Sequence, residues 1–195
     1  FWSPAAAEPS PGIILLHMID RSRQDWIPFA QRLQAERYAV LAIDMRGHGE
    51  SEGEPTYTDM IPDAAAAYTW LTQQPGVDTS KIAFIGASVG GNIALNFAVT
   101  QPDVRALVLL SPGLDYRGVK TGKAITEYGE RPLLLAACEG DAYATTSANT
   151  LSKMAKGPHQ LELYEGDAHG TDMLSAIEGL PDLILSWLRE TLVAN

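Results

Sequence analysis

The chain has 195 residues, 46% of them hydrophobic, a formal net charge of −10 and one cysteine. Such a length can bury roughly 70% of the unfolded surface in one core without staples, and the lone Cys138 excludes an internal disulfide while leaving the redox compartment open. The acidic balance argues against nucleic acid and anionic membranes, whose phosphates it would repel, and no apolar run reaches the ~20 residues of a membrane span.

In chain order, residues 1–3 read as the tail of an edge strand and residues 4–11 as a Pro/Ala/Ser loop. Residues 12–16 are a continuous apolar run, as in a strand covered on both faces. They empty into His17-Met18-Ile19-Asp20-Arg21-Ser22-Arg23-Gln24-Asp25-Trp26. Residues 24–35 have helical spacing, with Ile27, Ala30 and Leu33 on one side. Residues 38–43 form the next strand, ending in Asp44-Met45-Arg46-Gly47-His48-Gly49-Glu50-Ser51. A helix follows over 58–72, with Met60, Ala64, Ala67, Tyr68 and Leu71 on one face and Pro62 in its first turn, where a missing N–H does no harm. Strands are expected at 82–85, 106–110, 132–138 and 161–164, and helices at 89–99 and 142–155. Residues 111–131, rich in Gly and charge, read as a connection too short for a helical lid. The C-terminal run carries Met173, Ile177, Leu180, Ile184 and Trp187 at helical spacing, broken at Pro181. This alternation predicts an α/β fold, a mostly parallel β-sheet with helices on both faces, in one domain over 1–195.

The chemistry gathers at Gly86-Ala87-Ser88-Val89-Gly90. A Gly-x-Ser-x-Gly between a short apolar strand and a helix is the context of a nucleophile elbow. The serine hydroxyl is lifted clear of the sheet by a strained turn, which small neighbours at 86 and 90 allow. Two further loops past strand ends carry Asp141 and His169, where open parallel sheets place their sites. Ser88, His169 and Asp141 then supply nucleophile, general base and orienting carboxylate.

On these residues the chain resembles the α/β-hydrolase superfamily, and within it the small lid-poor serine esterases grouped with dienelactone hydrolases. Asp44-Met45-Arg46-Gly47-His48-Gly49-Glu50-Ser51 matches that family's Asp-x-Arg-Gly-His-Gly-x-Ser loop, whose implied role is to brace the floor of the site. The resemblance implies an oxyanion hole from the backbone N–H groups of Met18 and Val89. It also implies a minimal fold with no lid domain. The family's opening antiparallel pair of strands is missing or reduced here, and Arg37 stands where a Gly usually precedes the strand at Tyr38, which predicts a changed turn.

The competing assignments are weaker. His159 follows Gly157-Pro158 and reads as a solvated surface residue, and His48 as a structural histidine of the bracing loop. His17 falls before the serine, the wrong order for the base, but near the oxyanion loop. Asp167 and Glu139 are alternative acids, the first on the histidine's own short loop. Cys138 ends a strand and reads as a buried, inert thiol, although the namesake dienelactone hydrolases use a cysteine at the elbow. No metal-ligand spacing or dinucleotide fingerprint is present, so no metal and no cofactor are expected.

The sequence thus predicts a carboxylesterase acting on a short-chain or small ester through an acyl-enzyme on Ser88. His17, Ile19, Trp26, Leu114, Tyr116 and Tyr143 are its candidate substrate-binding residues, around a shallow, open cleft. A thioesterase or peptidase would use the same triad, and a non-catalytic small-molecule binding protein would be expected to have lost part of it. The partner is a small-molecule ester, with no nucleic acid and no membrane. A monomer is expected, or a homodimer through the exposed sheet edge. The protein is expected to be soluble, cytoplasmic or secreted after removal of an upstream segment.

Overall fold

Strands that are apolar on both sides cannot face water and must be sandwiched. In the computed structural model, which describes residues 1–4 and 8–193, the short apolar runs are covered in this way. Part of the loop expected over 4–11, residues 5–7, lies outside the described residues. The strands are β1 (Ser10–Leu16), β2 (Ala39–Ile43), β3 (Val77–Ala87) and β4 (Val104–Leu110), then a small hairpin of β5 (Asp115–Tyr116) and β6 (Val119–Lys120), then β7 (Leu133–Cys138) and β8 (His159–Tyr164). Six of them form one wholly parallel sheet in the order β2-β1-β3-β4-β7-β8, and the antiparallel hairpin stands apart.

Seven α-helices are described: α1 (Ile27–Ala35), α2 (Ile61–Thr72), α3 (Val89–Thr100), α4 (Gly122–Tyr128), α5 (Ala142–Met154), α6 (Met173–Ala176) and α7 (Leu180–Leu188). The period-2 geometry of the strands sorts the core into two layers. Ile14, Leu16, Ile82, Phe84, Leu107, Leu109 and Leu135 point to the layer of α2, α3 and α4. Ile13, Leu15, Ala83, Ile85, Val108, Leu110 and Leu134 point to the layer of α1 and α7. Each such leucine or isoleucine, removed from water, contributes roughly 1.5–3 kcal/mol, so register is fixed on both faces at once.

One local reading is made specific and three are revised. The N-terminal stub is a single antiparallel rung, with Trp2 and Val40 exchanging two 2.8 Å backbone hydrogen bonds at the β2 edge. Arg37 does not change the turn. It takes the left-handed conformation itself (φ 68°), and the bonds Arg37 N–H to Gln34 O (3.0 Å) and Tyr38 N–H to Leu33 O (3.1 Å) close α1 as a glycine would. Residues 111–131 are not a bare connection, since they hold the hairpin and α4. The C-terminal run breaks before Pro181, at Ile177 to Gly179, because a proline is tolerated in the first turn it occupies in α7.

Candidate active site

The elbow forms because two glycines let three elements meet. A Cβ on Gly86 would come within 2.5 Å of the Gly90 backbone, and one on Gly90 within 2.5 Å of the His17 carbonyl oxygen. Ser88 is therefore squeezed into φ 52°, ψ −123°, a conformation a side-chain-bearing residue adopts only under constraint. It is 3% exposed, and its N–H stays tied to the Leu110 carbonyl at 2.8 Å. Val89 opens α3 and is fully buried. Because the His17 carbonyl abuts Gly90, the His17–Met18 peptide stands beside that same helix start.

The acid and the histidine are brought together from separate strand ends. His169 Nδ1 lies 2.5 Å from Asp141 Oδ2, while the other carboxylate oxygen accepts the Ala144 N–H at 3.2 Å and caps α5. That cap fixes the acid's rotamer, so it meets the ring in a set orientation. The two loops are also stitched by Glu139 N–H to Tyr164 O and Gly140 N–H to Gly166 O, both 2.8 Å. Asp141, and not Glu139 or Asp167, holds this bond, and those two carboxylates belong to exposed residues.

The histidine loop is pressed against the elbow. Gly170 has φ 58°, and a Cβ there would meet Met18 Sδ at 2.6 Å and the Ala87 Cβ at 3.3 Å. Tyr116, carried by the hairpin, sits over the site. Its ring is edge-on to His169 with centroids 6.1 Å apart, and its hydroxyl donates to the Ser111 carbonyl at 3.3 Å. Burial pushes the Tyr116 phenol above its ordinary range, the Asp141 carboxylate adds to this, and the nearby Ser88 hydroxyl works against it. Tyr143 clasps the hairpin from α5, accepting from Asp115 N–H and donating to Asp115 O, both at 2.9 Å. The open cleft expected from the sequence is thus narrowed by a small roof.

Two of the expected rim residues lie elsewhere. His17 is fully buried, with Nε2 accepting the Met45 N–H (3.0 Å) and Nδ1 donating to the Met18 carbonyl (2.8 Å). It braces the loop after β1 instead of lining a pocket. Burial lowers its pKa, with the Met18 carbonyl pulling the other way. Trp26 is fully buried among the α1-side core residues, turned inward by a 3₁₀ turn that Ser22 caps. Ile19 and Leu114 are half-buried and Tyr143 is 47% exposed. His48, bonded through Nδ1 to the Arg46 carbonyl at 3.0 Å, packs on His17, and His159 is exposed.

Two buried polar residues escaped the sequence reading. Asn92 holds the hairpin by donating to the Val119 carbonyl (2.7 Å) and accepting the Gly113 N–H (3.1 Å); its only signal was an amide among the apolar residues that open α3. Ser111, just past β4, accepts the Gly170 N–H at 2.9 Å. A serine before Pro112-Gly113 carries no sequence signal of that contact.

A surface concavity of about 920 Å³ runs along the β2 edge past Phe1, Asp44, Arg46 and Trp70 and touches none of Ser88, Asp141 or His169. Convergent chemistry, not volume, locates the site. Among the described residues no His, Cys, Asp or Glu cluster could hold a metal, and no helix is long and apolar enough to cross a membrane.

A parallel sheet in this order, with a strained Gly-x-Ser-x-Gly elbow at its carboxyl edge, is the α/β-hydrolase fold. The chain belongs to the family described as serine aminopeptidase, S33 (Hydrolase_4), whose model matches residues 7–176. Solved structures agree on the fold. The α/β hydrolase GrgF from Penicillium sp. sh18 superposes with a TM-score of 0.83 at 17% identity, covering 96% of this chain and 92% of that one. Dienelactone hydrolase from Anabaena variabilis gives 0.76 at 20% identity, covering 98% and 88%. Among curated proteins, a thermostable monoacylglycerol lipase from Bacillus sp. (strain H-257) is 28% identical over 142 residues, 71% of this chain and 54% of that protein. Thiohydrolase aneE from Aspergillus aculeatus is 33% identical over 107 residues, 52% of this chain and 34% of that protein. An uncharacterized Mycobacterium tuberculosis protein is 43% identical over 74 residues, 38% of this chain and 26% of its own length. The chain therefore spans about a quarter to a half of these curated relatives.

Proposed function

We propose that this chain is a serine hydrolase that cleaves small carboxylic esters through an acyl-enzyme on Ser88. The observation that carries the reading is the 2.5 Å pairing of Asp141 with His169 on a loop pressed against the strained elbow. In this mechanism His169 takes the Ser88 proton as the oxygen attacks the ester carbonyl. Asp141 holds the ring in the tautomer with Nδ1 protonated and supports the imidazolium. The N–H groups of Val89 and Met18 donate to the developing oxyanion: a helix start leaves its N–H groups without intrahelical partners, so Val89 is free for that charge. His169 then protonates the leaving alcohol, and water repeats the sequence to release the acid.

The roof formed by Tyr116 favours short acyl groups and a small-molecule substrate. The lipase relative supports the ester reading, and the thiohydrolase relative favours a second one, thioester cleavage by the same triad. Hydrolysis of p-nitrophenyl esters from acetate to palmitate and of matched acyl thioesters, by the wild type and by Ser88→Ala, separates them. Turnover of short esters that Ser88→Ala abolishes is expected. Turnover of thioesters alone would move the assignment to the second reading, and undiminished activity in Ser88→Ala would overturn both.

A further inference from the structure

Ser88 is not the only strained serine at the carboxyl edge of the sheet. Ser111, at the end of the neighbouring strand β4, has φ 49° and is fully buried. A non-glycine residue in that conformation persists only where surrounding contacts hold it. Here the contacts point to the catalytic histidine. The Ser111 N–H keeps its place on the sheet, donating to the Ala136 carbonyl at 2.7 Å. Beyond it the chain turns off the strand, and the two remaining polar groups of the residue are free to face the site.

Both are used. The hydroxyl oxygen accepts the Gly170 N–H at 2.9 Å and its proton is directed at Met173 Sδ, 3.3 Å away. One hydroxyl thus grips the first residue of the turn Gly170–Asp172, directly after His169, and the side chain of the residue that follows the turn. The Ser111 carbonyl accepts the Tyr116 hydroxyl, which lies beside Ser88. On the far side the same turn is packed on Met18 and Ala87 and tied to the oxyanion loop by Arg21 to Asp172 at 3.1 Å.

We propose that Ser111 is a positioning residue for acyl transfer: its hydroxyl fixes the backbone that carries His169, and its carbonyl fixes Tyr116 over Ser88. It touches no substrate in this arrangement and acts through those two residues. Proton transfer between Ser88 and His169 depends on sub-ångström placement, so a residue that holds the base's backbone alters rate more than affinity. The inference rests on the serine-hydrolase reading.

The test uses Ser111→Ala and Ser111→Gly. Both remove the hydroxyl, but only glycine accepts φ 49° without strain, so the two differ in stability while sharing the lost bond. Measured on short esters, with active sites counted by a fluorophosphonate probe, both are expected to lose about 10- to 100-fold in kcat per active site with KM within about twofold. The far-downfield proton signal of the His169 Nδ1–H is expected to broaden or vanish in both. Wild-type kcat per active site in the glycine variant, or a loss confined to the alanine variant, would overturn the proposal, because strain and not the hydroxyl would then account for it. Should the wild type cleave no ester and take no probe, the hydrolase reading fails instead. The proton signal still decides the positioning claim: unchanged in both variants, it sinks it.

Discussion

Two loops of this molecule each carry a buried or half-buried aspartate just past a strand end, and they are built on opposite plans. Asp44 follows β2, with its side chain 2% exposed, and takes the Arg23 N–H (2.7 Å), the Glu50 N–H (3.0 Å) and the Arg23 guanidinium. Burial alone would raise its pKa, but those donors outweigh it and hold the carboxyl below its ordinary value. Asp141 is 16% exposed, and it spends one oxygen on a helix cap and the other on His169. A carboxylate saturated by fixed donors can only hold structure. One left with a single titratable partner can support a charge that comes and goes during a reaction.

The sharpest way to break this contrast is to neutralise each aspartate in turn. Asp141→Asn should lower kcat by about 10³- to 10⁴-fold through the wrong histidine tautomer, with little change in the melting midpoint. Asp44→Asn should do the reverse, retaining activity per folded molecule while unfolding free energy falls by roughly 2–3 kcal/mol. Ester kinetics and urea titrations on both variants check it, and similar losses of both kinds in both variants would erase the distinction.

The contact of His17 with the bracing loop also has a pH signature. The depressed pKa of His17 means that the unfolded chain takes up a proton before the folded one does. Its stabilising contribution is full above the unfolded histidine value of about 6.5 and is lost as pH falls from there towards the folded value. Asp44 follows the same sign at lower pH, below the ordinary carboxylate value near 4. Urea midpoints should therefore decline from pH 7.5 to pH 5. A flat profile across that range would mean that His17 is not held neutral by its two backbone partners.

The smallest effect sharpens the role of sheet-end turns. Arg37→Gly relieves a left-handed side-chain-bearing residue without touching the core, and should stabilise the fold by up to about 1 kcal/mol. A destabilised variant would show that the Arg37 side chain does something the turn does not require.

How far the sequence disclosed all this depends on the physics involved. The sheet was legible because a strand buried on both faces must be a continuous apolar run, and Ile13 to Leu16, Ile82 to Ile85 and Leu107 to Leu110 could be little else. Ser88, Asp141 and His169 were legible as loop residues at the ends of such runs. The hairpin was not, since two-residue strands leave no periodicity and Gly113, Gly118 and Gly122 read as plain turn chemistry. Trp26 was misjudged because its neighbours Arg23, Gln24 and Asp25 are polar, while a single 3₁₀ turn suffices to rotate the indole inward. Ser111 was invisible because a positive φ is a property of the backbone's surroundings and not of the residue.

The double duty of Asp141 has a consequence for how this scaffold can diversify. One oxygen anchors α5, whose Tyr143 clasps the hairpin, whose Tyr116 roofs Ser88, while the other oxygen steadies His169. Mechanically this is a closed truss, in which slackening any strut loosens the rest. Under the proposed reaction, changes of substrate preference should come first from apolar exchanges of similar size at residues outside the frame, such as Ile19 and Leu114, which are half-buried against the core.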